Sequence, residues 1–262
     1  MKVLCLHGKG TSGAIFRSQT ASFRAQLGNK DIEFDFLDGT FSSTAAAGVD
    51  LFYPPPYYSW YEGVAVDEVR NACARLNEYI AKHGPYDLAM AFSQGCVVAS
   101  SLLLFHQEET PHLPPPFKAA MFICGGGPLY ILEELGFHVS AEAKERDAAS
   151  RAALNKQAGS TAVLAQGGDR WTGLESLDGG LSEEQLRNEI TCPTRISVPT
   201  VHVYGTKDPR YAAGVHLSGI CDPAKRRTYN HGGGHEIPRT KMVSLTIANL
   251  TEWVLAEANG AY

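Results

Sequence analysis

The feature that most constrains the fold of this chain is a regular alternation of short strand segments with helical ones. The sequence predicts six strands, at residues 2–7, 32–37, 87–92, 119–124, 200–204 and 227–229. Strands that alternate with helices in this way indicate a parallel sheet with helices on both faces. We therefore predict one α/β domain over residues 1–262, with a six-stranded, mostly parallel sheet in the order 2-1-3-4-5-6.

One long segment, residues 128–196, interrupts this alternation. It contains a polar helical stretch at 141–157, a loop rich in glycine, aspartate and tryptophan, and an amphipathic stretch at 183–190. An insertion of this length between two sheet strands is more often functional than structureless. We expect residues 128–196 to form an inserted cap or lid.

The composition argues against several classes of partner and site. The net charge is −5 and the pI is about 6.0, whereas a nucleic-acid-binding surface needs clustered lysine and arginine. The longest apolar stretch, around 89–105, is interrupted by polar residues and is not expected to span a membrane. The first residues form a strand rather than a secretory signal, and the cysteines and histidines show no zinc-type spacing. We expect a cytoplasmic protein without a metal ion.

The pentapeptide Ala91-Phe92-Ser93-Gln94-Gly95 carries the strongest chemical signal. It follows a predicted strand and opens a predicted helix, which is the context of a nucleophile elbow. The tight turn strains the backbone at the nucleophile, so the residues two positions before and after it must be small. A small-x-Ser-x-Gly pentapeptide also arises by chance. Its position between strand and helix is what favours Ser93 as a nucleophile.

The loop at residues 7–13, HGKGTSG, follows the first strand. Its glycines match G-x-G-x-x-G and Asp38 ends the second strand, so a nicotinamide-binding oxidoreductase is a weak alternative. Its opening His-Gly pair is instead expected in hydrolases, in the loop that supplies one oxyanion-binding N–H. With the first and third strands adjacent, the backbone N–H groups of Lys9 and Gln94 are expected to lie together as an oxyanion hole.

Two further motifs supply an acid and a base. Asp208 follows the fifth strand in GTKDP, and His235 follows the sixth in HGGGHEIP. The chain order Ser, Asp, His is that of α/β-hydrolases. A serine hydroxyl needs an imidazole to take its proton, and a carboxylate fixes the tautomer of that imidazole. His231 is a competing candidate base, and His235 is favoured because its glycine-rich loop can reach across the crevice to Ser93.

The motifs HGKGTSG, AFSQG, GTKDP and GGGHEIP make the chain similar to the fungal FSH-type serine hydrolase family. The resemblance runs over nearly the whole chain and is weakest in the predicted cap. It implies an α/β-hydrolase fold with Ser93 as nucleophile, Asp208 as acid and His235 as base. Ala91 replaces a more frequent glycine and Lys9 an apolar or aromatic residue, but neither departure removes a required atom.

The sequence thus predicts hydrolysis of an acyl ester or thioester through an acyl-enzyme on Ser93, without an organic cofactor. Some members of this similar family are thioesterases of polyketide pathways. The resemblance therefore implies an acyl substrate presented by an acyl carrier protein of a polyketide synthase. Tyr57, Tyr58, Trp60 and Trp171 are expected to line its pocket, although ordinary packing explains such aromatic residues equally well. A carboxylesterase for small oxygen esters is the main alternative. A catalytically silent binding protein on the same fold is another.

Overall fold

The computed structural model describes residues 1–29, 31–46, 48–63, 65–156, 178–191 and 195–260. The strands of the described residues are β1 (Lys2–Leu6), β2 (Glu33–Leu37), β3 (Phe41–Ser42), β4 (Tyr58–Ser59), β5 (Leu88–Phe92), β6 (Ala120–Ile123), β7 (His138–Val139), β8 (Ile190–Thr191), β9 (Thr200–Tyr204) and β10 (Arg226–Asn230). The α-helices are α1 (Gly13–Gln19), α2 (Ala21–Arg24), α3 (Val66–His83), α4 (Gln94–Glu109), α5 (Leu129–Glu134), α6 (Ala141–Lys156), α7 (Glu183–Asn188), α8 (Tyr211–Gly219) and α9 (Lys241–Ala258). Among these helices, none is long and apolar enough to cross a lipid bilayer.

The central sheet has the strand order β2-β1-β5-β6-β9-β10, and every neighbouring pair in it is parallel. The predicted order and direction are therefore confirmed. The strands also end nearly level, because Leu6 pairs with Leu37 and Ala91, and Phe92 pairs with Ile123. Level carboxyl ends bring the loops that follow β1, β5, β6, β9 and β10 to one edge of the sheet, where open α/β sheets bind their ligands.

The four inner strands of the sheet are buried on both faces, as their apolar sequences require. Along β1, Leu4 and Leu6 join the core under α3 and α4, whereas Val3 and Cys5 join the core on the opposite face, under α1, α2 and α9. This alternation is the two-residue period of a strand. Because both faces are covered at β1, a one-residue slip of this strand would exchange the two sets of side chains between different cores.

The sequence after the first strand predicts a single helix over about residues 15–27, and the first helix of the structure differs from this expectation. It begins earlier, at Gly13, because the Ser12 hydroxyl accepts a hydrogen bond from the Ile15 N–H and caps the helix. It then breaks at Thr20, whose hydroxyl bonds back to the Phe16 carbonyl at 2.9 Å. Such local bonding competes with regular helix geometry, and a new short helix starts at Ala21.

The segment predicted as a cap is described in its two flanking parts. α5, β7 and α6 lie before residue 157, and α7 and β8 lie after residue 177. β7 and β8 form a small antiparallel pair that joins the two parts. α6 also packs on α8, which follows β9. The division of residues 1–262 into one domain with a cap at 128–196 stays a prediction.

A buried histidine in the middle of β9 makes the fold sensitive to acid. His202 is 1% exposed, its ring lies 5.2 Å from that of Phe122, and its Nδ1 has no hydrogen-bond partner among the described residues. Burial, together with repulsion from Arg226 and Arg187, lowers the pKa of His202 to about 3. In the unfolded chain a histidine titrates near a pKa of about 6.5.

We predict that His202→Leu makes stability less dependent on pH. Between roughly pH 6.5 and pH 3 the unfolded state binds one more proton at this site than the folded state, so stability falls as the pH falls. Removing the group should reduce this slope by up to about 1.4 kcal/mol per pH unit. Urea unfolding at pH 7, 6 and 5 measures it, with the exposed His112→Leu as the matched control. Equal slopes in wild type and His202→Leu would contradict the prediction.

Candidate active site

Ser93 lies on a strained turn between β5 and α4. Its φ is 51° and its ψ is −112°, and Cys124 is the only other non-glycine residue in the described part of the chain with a positive φ. The turn requires close approach of the backbone, because a Cβ atom on Gly95 would lie 2.5 Å from the Leu6 carbonyl oxygen. The buried Ala91 satisfies the same demand for a small residue on the strand side. The geometry is that of a nucleophile elbow.

Two loops from the other half of the sheet bring a carboxylate and an imidazole to this turn. His235 Nε2 lies 3.0 Å from Ser93 Oγ, and His235 Nδ1 lies 2.9 Å from Asp208 Oδ2. An ionised carboxylate only accepts, so Nδ1 carries the proton and Nε2 is left to accept the Ser93 hydroxyl. The Arg210 N–H donates to Asp208 Oδ1 at 2.8 Å and holds this carboxylate in place. The structure brings the three predicted residues together in one line of hydrogen bonds.

The competing base, His231, is directed elsewhere. Its Nδ1 accepts the Gly233 N–H at 3.1 Å, and its Nε2 lies 3.7 Å from the Cys124 sulfur. Burial lowers the pKa of His231, which keeps the ring neutral. His231 therefore supports the loop that carries His235. The structure shows no hydrogen bond between His231 and Ser93.

The predicted oxyanion loop lies directly against the nucleophile. A Cβ atom on Gly8 would lie 3.2 Å from the Ser93 Cβ, and Lys9, Ser93 and Gln94 line one cavity. Within the described residues, neither the Lys9 N–H nor the Gln94 N–H has a hydrogen-bond acceptor. Gln94 is the first residue of α4, where main-chain N–H groups and the helix dipole favour negative charge.

The direction of the Lys9 N–H is set by His7. The Gly39 N–H donates to His7 Nε2 at 2.9 Å, so His7 Nδ1 bears the proton and donates to the Gly8 carbonyl at 2.7 Å. The Thr11 hydroxyl donates to the same carbonyl at 2.7 Å. The carbonyl and the next N–H of a trans peptide point in opposite directions, so the Lys9 N–H points away from these donors. Burial lowers the pKa of His7 and keeps it neutral in this role.

Trp60 has a different role from the predicted one. It is 4% exposed and its indole N–H donates to the His7 carbonyl at 2.8 Å. Its main-chain N–H donates to the Gln94 side-chain oxygen at 3.0 Å, and the Gln94 amide group donates to the Tyr61 carbonyl. Trp60 thus joins the loop after β1 to the start of α4. No feature of the sequence around Trp60 distinguishes such a brace from a pocket wall.

A cavity of about 1000 Å³ opens over Ser93. Its apolar walls come mainly from the loop after β3 and from the elements around the triad: Ala45, Ala46, Val49, Phe52, Phe92, Val97, Leu154 and Ile237. Tyr53 and Tyr61 also line it, whereas the predicted Tyr57, Tyr58 and Trp60 do not.

That part of the predicted pocket is therefore corrected. Tyr58 pairs its backbone with Thr11, and the Tyr57 hydroxyl donates to the Tyr53 carbonyl, so both residues support the loop rather than the cavity. Neighbouring aromatic residues share one sequence signal, and only the path of the loop decides which of them reaches the cavity. Trp171 lies outside the described residues.

The groups that a nicotinamide or metal site would need are engaged in other contacts. The Asp38 carboxylate accepts the Gly13 N–H at 2.7 Å, so it is held at the start of α1 instead of facing a ribose. Ligand atoms of Cys124, Asp208 and His235 lie within 4.8 Å of one another. Both His235 nitrogens are already paired, however, and burial raises the pKa of the Cys124 thiol well above its usual range. A neutral thiol is a poor metal ligand, so this set fits a triad better than a metal site.

Comparison with known proteins agrees with this geometry. Residues 1–247 match a family model described as serine hydrolase (FSH1). The chain is 30% identical over 261 residues to Esterase alnB of Emericella nidulans, with 91% of each chain covered. It is also 30% identical over 256 residues to Hydrolase FUB4 of Fusarium oxysporum, with 91% of this chain and 92% of that one covered. The crystal structure of esterase PE8 is similar in fold, with a TM-score of 0.53 at 17% identity over 97% of this chain and 92% of the other. The fold is that of the α/β-hydrolases.

We predict that Ser93→Ala, Asp208→Asn and His235→Ala each lower kcat on a chromogenic acyl ester by roughly 1000-fold or more, because triad members act as a unit. Circular dichroism should show an unchanged fold. His231→Ala is the matched control and should stay within about tenfold of wild type, because the His231 ring forms no hydrogen bond to Ser93, Asp208 or His235. An inactive His231→Ala beside an active His235→Ala would show that the base is His231.

A second pair of variants tests the main-chain oxyanion hole. Lys9→Ala keeps the N–H and should cost little, whereas Lys9→Pro removes it and should lower kcat on the order of 100-fold or more. Steady-state kinetics of both variants on one ester measures the difference. A large loss in Lys9→Ala would instead assign a role to the ammonium group.

Proposed function

This chain belongs to the FSH1 family of serine hydrolases, and we propose that Ser93, Asp208 and His235 hydrolyse an acyl thioester or ester through an acyl-enzyme. The observation that carries the proposal is the continuous line of hydrogen bonds from Asp208 through His235 to Ser93, with distances of 2.9 and 3.0 Å. The line ends at a cavity large enough for an acyl chain.

In the first step, His235 Nε2 takes the Ser93 hydroxyl proton while Oγ attacks the acyl carbonyl carbon. The carbonyl oxygen becomes an oxyanion between the N–H groups of Lys9 and Gln94. Donors that are already oriented need no reorganisation as the charge develops, which is the main source of their effect on rate. The imidazolium then gives its proton to the departing thiolate or alkoxide, and the acyl group stays on Ser93 as an ester.

In the second step, water replaces the leaving group. His235 accepts a proton from the water, the hydroxide oxygen attacks the acyl carbonyl, and the same N–H groups hold the second oxyanion. The imidazolium returns its proton to Ser93 Oγ, and the carboxylic acid product leaves. The buried Asp208 carboxylate, with a side chain 1% exposed, stabilises the imidazolium in both steps.

We propose a thioester as the preferred substrate. A thiol is a better leaving group than an alcohol, and the apolar lining of the cavity suits an acyl chain far longer than acetyl. The resemblance noted in the sequence extends this to a polyketide or related acyl chain presented by an acyl carrier protein in the cytoplasm. The buried free thiols of Cys5, Cys73, Cys96 and Cys124 are consistent with a reducing compartment.

A carboxylesterase for small oxygen esters is the second candidate, and the names of the relatives favour it. Esterase alnB and the esterases among the similar structures carry that description, and an oxygen ester needs the same triad and oxyanion hole. The two candidates differ in what fills the cavity. A small ester would leave most of its apolar wall without a partner.

We predict that one decanoyl group is released faster as an N-acetylcysteamine thioester than as an ethyl ester. The expected difference in kcat/KM is on the order of tenfold or more, since the acyl chain is the same in both compounds and the thiol is the better leaving group. Acetyl forms of both compounds serve as the matched pair for chain length, and Ser93→Ala gives the background rate. Loss of fluorophosphonate labelling in Ser93→Ala confirms the nucleophile. A clear preference for acetyl oxygen esters would replace the thioesterase by the small-ester carboxylesterase.

A further inference from the structure

One wall of the active-site cavity carries a cluster of three charged side chains. Arg210 Nη1 lies 2.7 Å from Asp147 Oδ1, and Arg151 Nε lies 2.7 Å from Asp147 Oδ2. Burial alone would raise the pKa of Asp147, but the two guanidinium groups lower it below its usual value, so the carboxylate is ionised. Among the described residues, no other carboxylate lies within ion-pair distance of either arginine. The cluster therefore carries two positive charges and one negative charge.

This cluster faces the same space as the nucleophile. Arg151 and Arg210 both line the cavity that contains Ser93. Arg210 is 7% exposed and comes two residues after Asp208. Its main-chain N–H donates a hydrogen bond to the Asp208 carboxylate. The space in front of Gly126 is occupied by Arg210 Nη2, since a Cβ atom on Gly126 would lie 2.7 Å from it. Because glycine has no side chain, position 126 leaves room for the guanidinium at the cavity wall.

The hydrogen bonds of Arg210 leave one part of its guanidinium unused. Nη1 donates to the Asp147 carbonyl at 3.1 Å and to the Ser150 hydroxyl at 2.6 Å. The described residues supply no hydrogen-bond acceptor to Nη2. A guanidinium is shaped to bind an oxyanion with two parallel N–H groups.

Neighbouring groups do not cancel the extra positive charge. Burial raises the pKa of Tyr61 and of Tyr130, so both phenols next to the arginines stay neutral and can only add hydrogen bonds. The charged residues of the described cavity lining are four cations and two carboxylates: Lys9, Arg151, Arg210, Arg239, Glu62 and Glu236. Asp147 and the triad carboxylate Asp208 balance the other two positive charges, so it is the local excess at the Arg151–Arg210 cluster, and not the whole cavity, that favours an anionic group.

We propose that Arg151 and Arg210 bind a carboxylate carried by the acyl chain of the substrate. The inference rests on the proposed function, because it names the substrate class of that same site. Hydrolysis then consumes one water and releases a thiol or alcohol and a dicarboxylic acid. The remote carboxylate anchors the chain while Ser93 attacks the thioester or ester carbonyl at its other end.

A purely structural role for the cluster is the competing explanation. The ion pairs join α6 to the start of α8, and such pairs could serve only to hold these helices together. The two explanations differ in one measurable respect. A structural role changes the rates of all substrates together, whereas a binding role changes the ratio between a charged and a neutral acyl group.

The test compares two N-acetylcysteamine thioesters of equal size, adipyl with a terminal carboxylate and adipamoyl with a terminal amide. Wild type should prefer adipyl in kcat/KM on the order of tenfold or more, mainly through KM, because charge-assisted hydrogen bonds are the stronger ones. Arg151→Met should reduce this ratio by roughly fivefold or more. Arg151→Lys keeps the charge and should fall between the two.

Arg146→Met is the matched control. Arg146 lies on the same helix, but its side chain pairs with Glu189 at 2.9 Å and does not line the cavity, so the ratio should stay that of wild type. Fluorophosphonate labelling of Ser93 checks that each variant is folded. A wild-type ratio at or below one overturns the proposal whatever the variants do, and so does a ratio that Arg151→Met leaves unchanged.

Two further outcomes would have different meanings from those above. If a neutral acyl group is hydrolysed faster from coenzyme A than from N-acetylcysteamine, and Arg151→Met abolishes that difference, the cluster binds a phosphate of the leaving group and the proposal is wrong. If Ser93 is not labelled and no thioester or ester is hydrolysed, the proposed function itself fails. Labelling and hydrolysis without preference for adipyl refute the inference alone.

Discussion

The site depends on a close contact between the end of β1 and the start of α4. Gly95 approaches the Leu6 carbonyl so closely that any side chain there would collide, and a Cβ atom on Gly8 would lie 2.9 Å from the Phe92 ring and 3.2 Å from the Ser93 Cβ. These two contacts make the nucleophile and the oxyanion loop one rigid unit. Trp60 reinforces it through bonds to the His7 carbonyl and to the Gln94 side chain. The strained backbone at Ser93 persists because these surroundings permit no other arrangement.

The acid and the base come from the opposite half of the sheet. Asp208 follows β9 and His235 follows β10, so the catalytic line crosses the carboxyl ends of four strands. Its geometry holds only if those ends stay level, which the parallel register ensures. The sheet therefore sets the spacing between nucleophile and base. Arg210 extends the same line to α6, through its ion pair with Asp147.

The sequence predicted those parts of the molecule whose cause is local. The strand order, the elbow at Ser93 and the grouping of Ser93 with Asp208 and His235 follow from short motifs at strand ends, where a parallel sheet gathers them. The wall of the cavity could not be predicted in this way, because Trp60 turns inward to a backbone partner more than 50 residues away, at the His7 carbonyl. The helix break at Thr20 depended on one side-chain bond that competes with the helix.

Asp38 is a second position whose role the sequence alone could not decide. Its position at the end of the second strand agreed with a dinucleotide site, yet its carboxylate caps Gly13. The Arg151–Arg210 cluster also has no local signature, since Arg151 and Asp147 lie on α6 whereas Arg210 directly precedes α8. Pair contacts across the fold are what a single sequence conceals.

The locked carbonyl of Gly8 has a consequence for the resting enzyme. Two donors, His7 Nδ1 and the Thr11 hydroxyl, hold this oxygen, so the Gly8–Lys9 peptide cannot flip without losing both bonds at once. A flipped peptide would present an oxygen where the oxyanion must form, and would repel it. The resting population thus contains hardly any molecules with a reversed hole. The oxyanion hole is therefore already assembled when substrate binds, and it has the same geometry in every turnover.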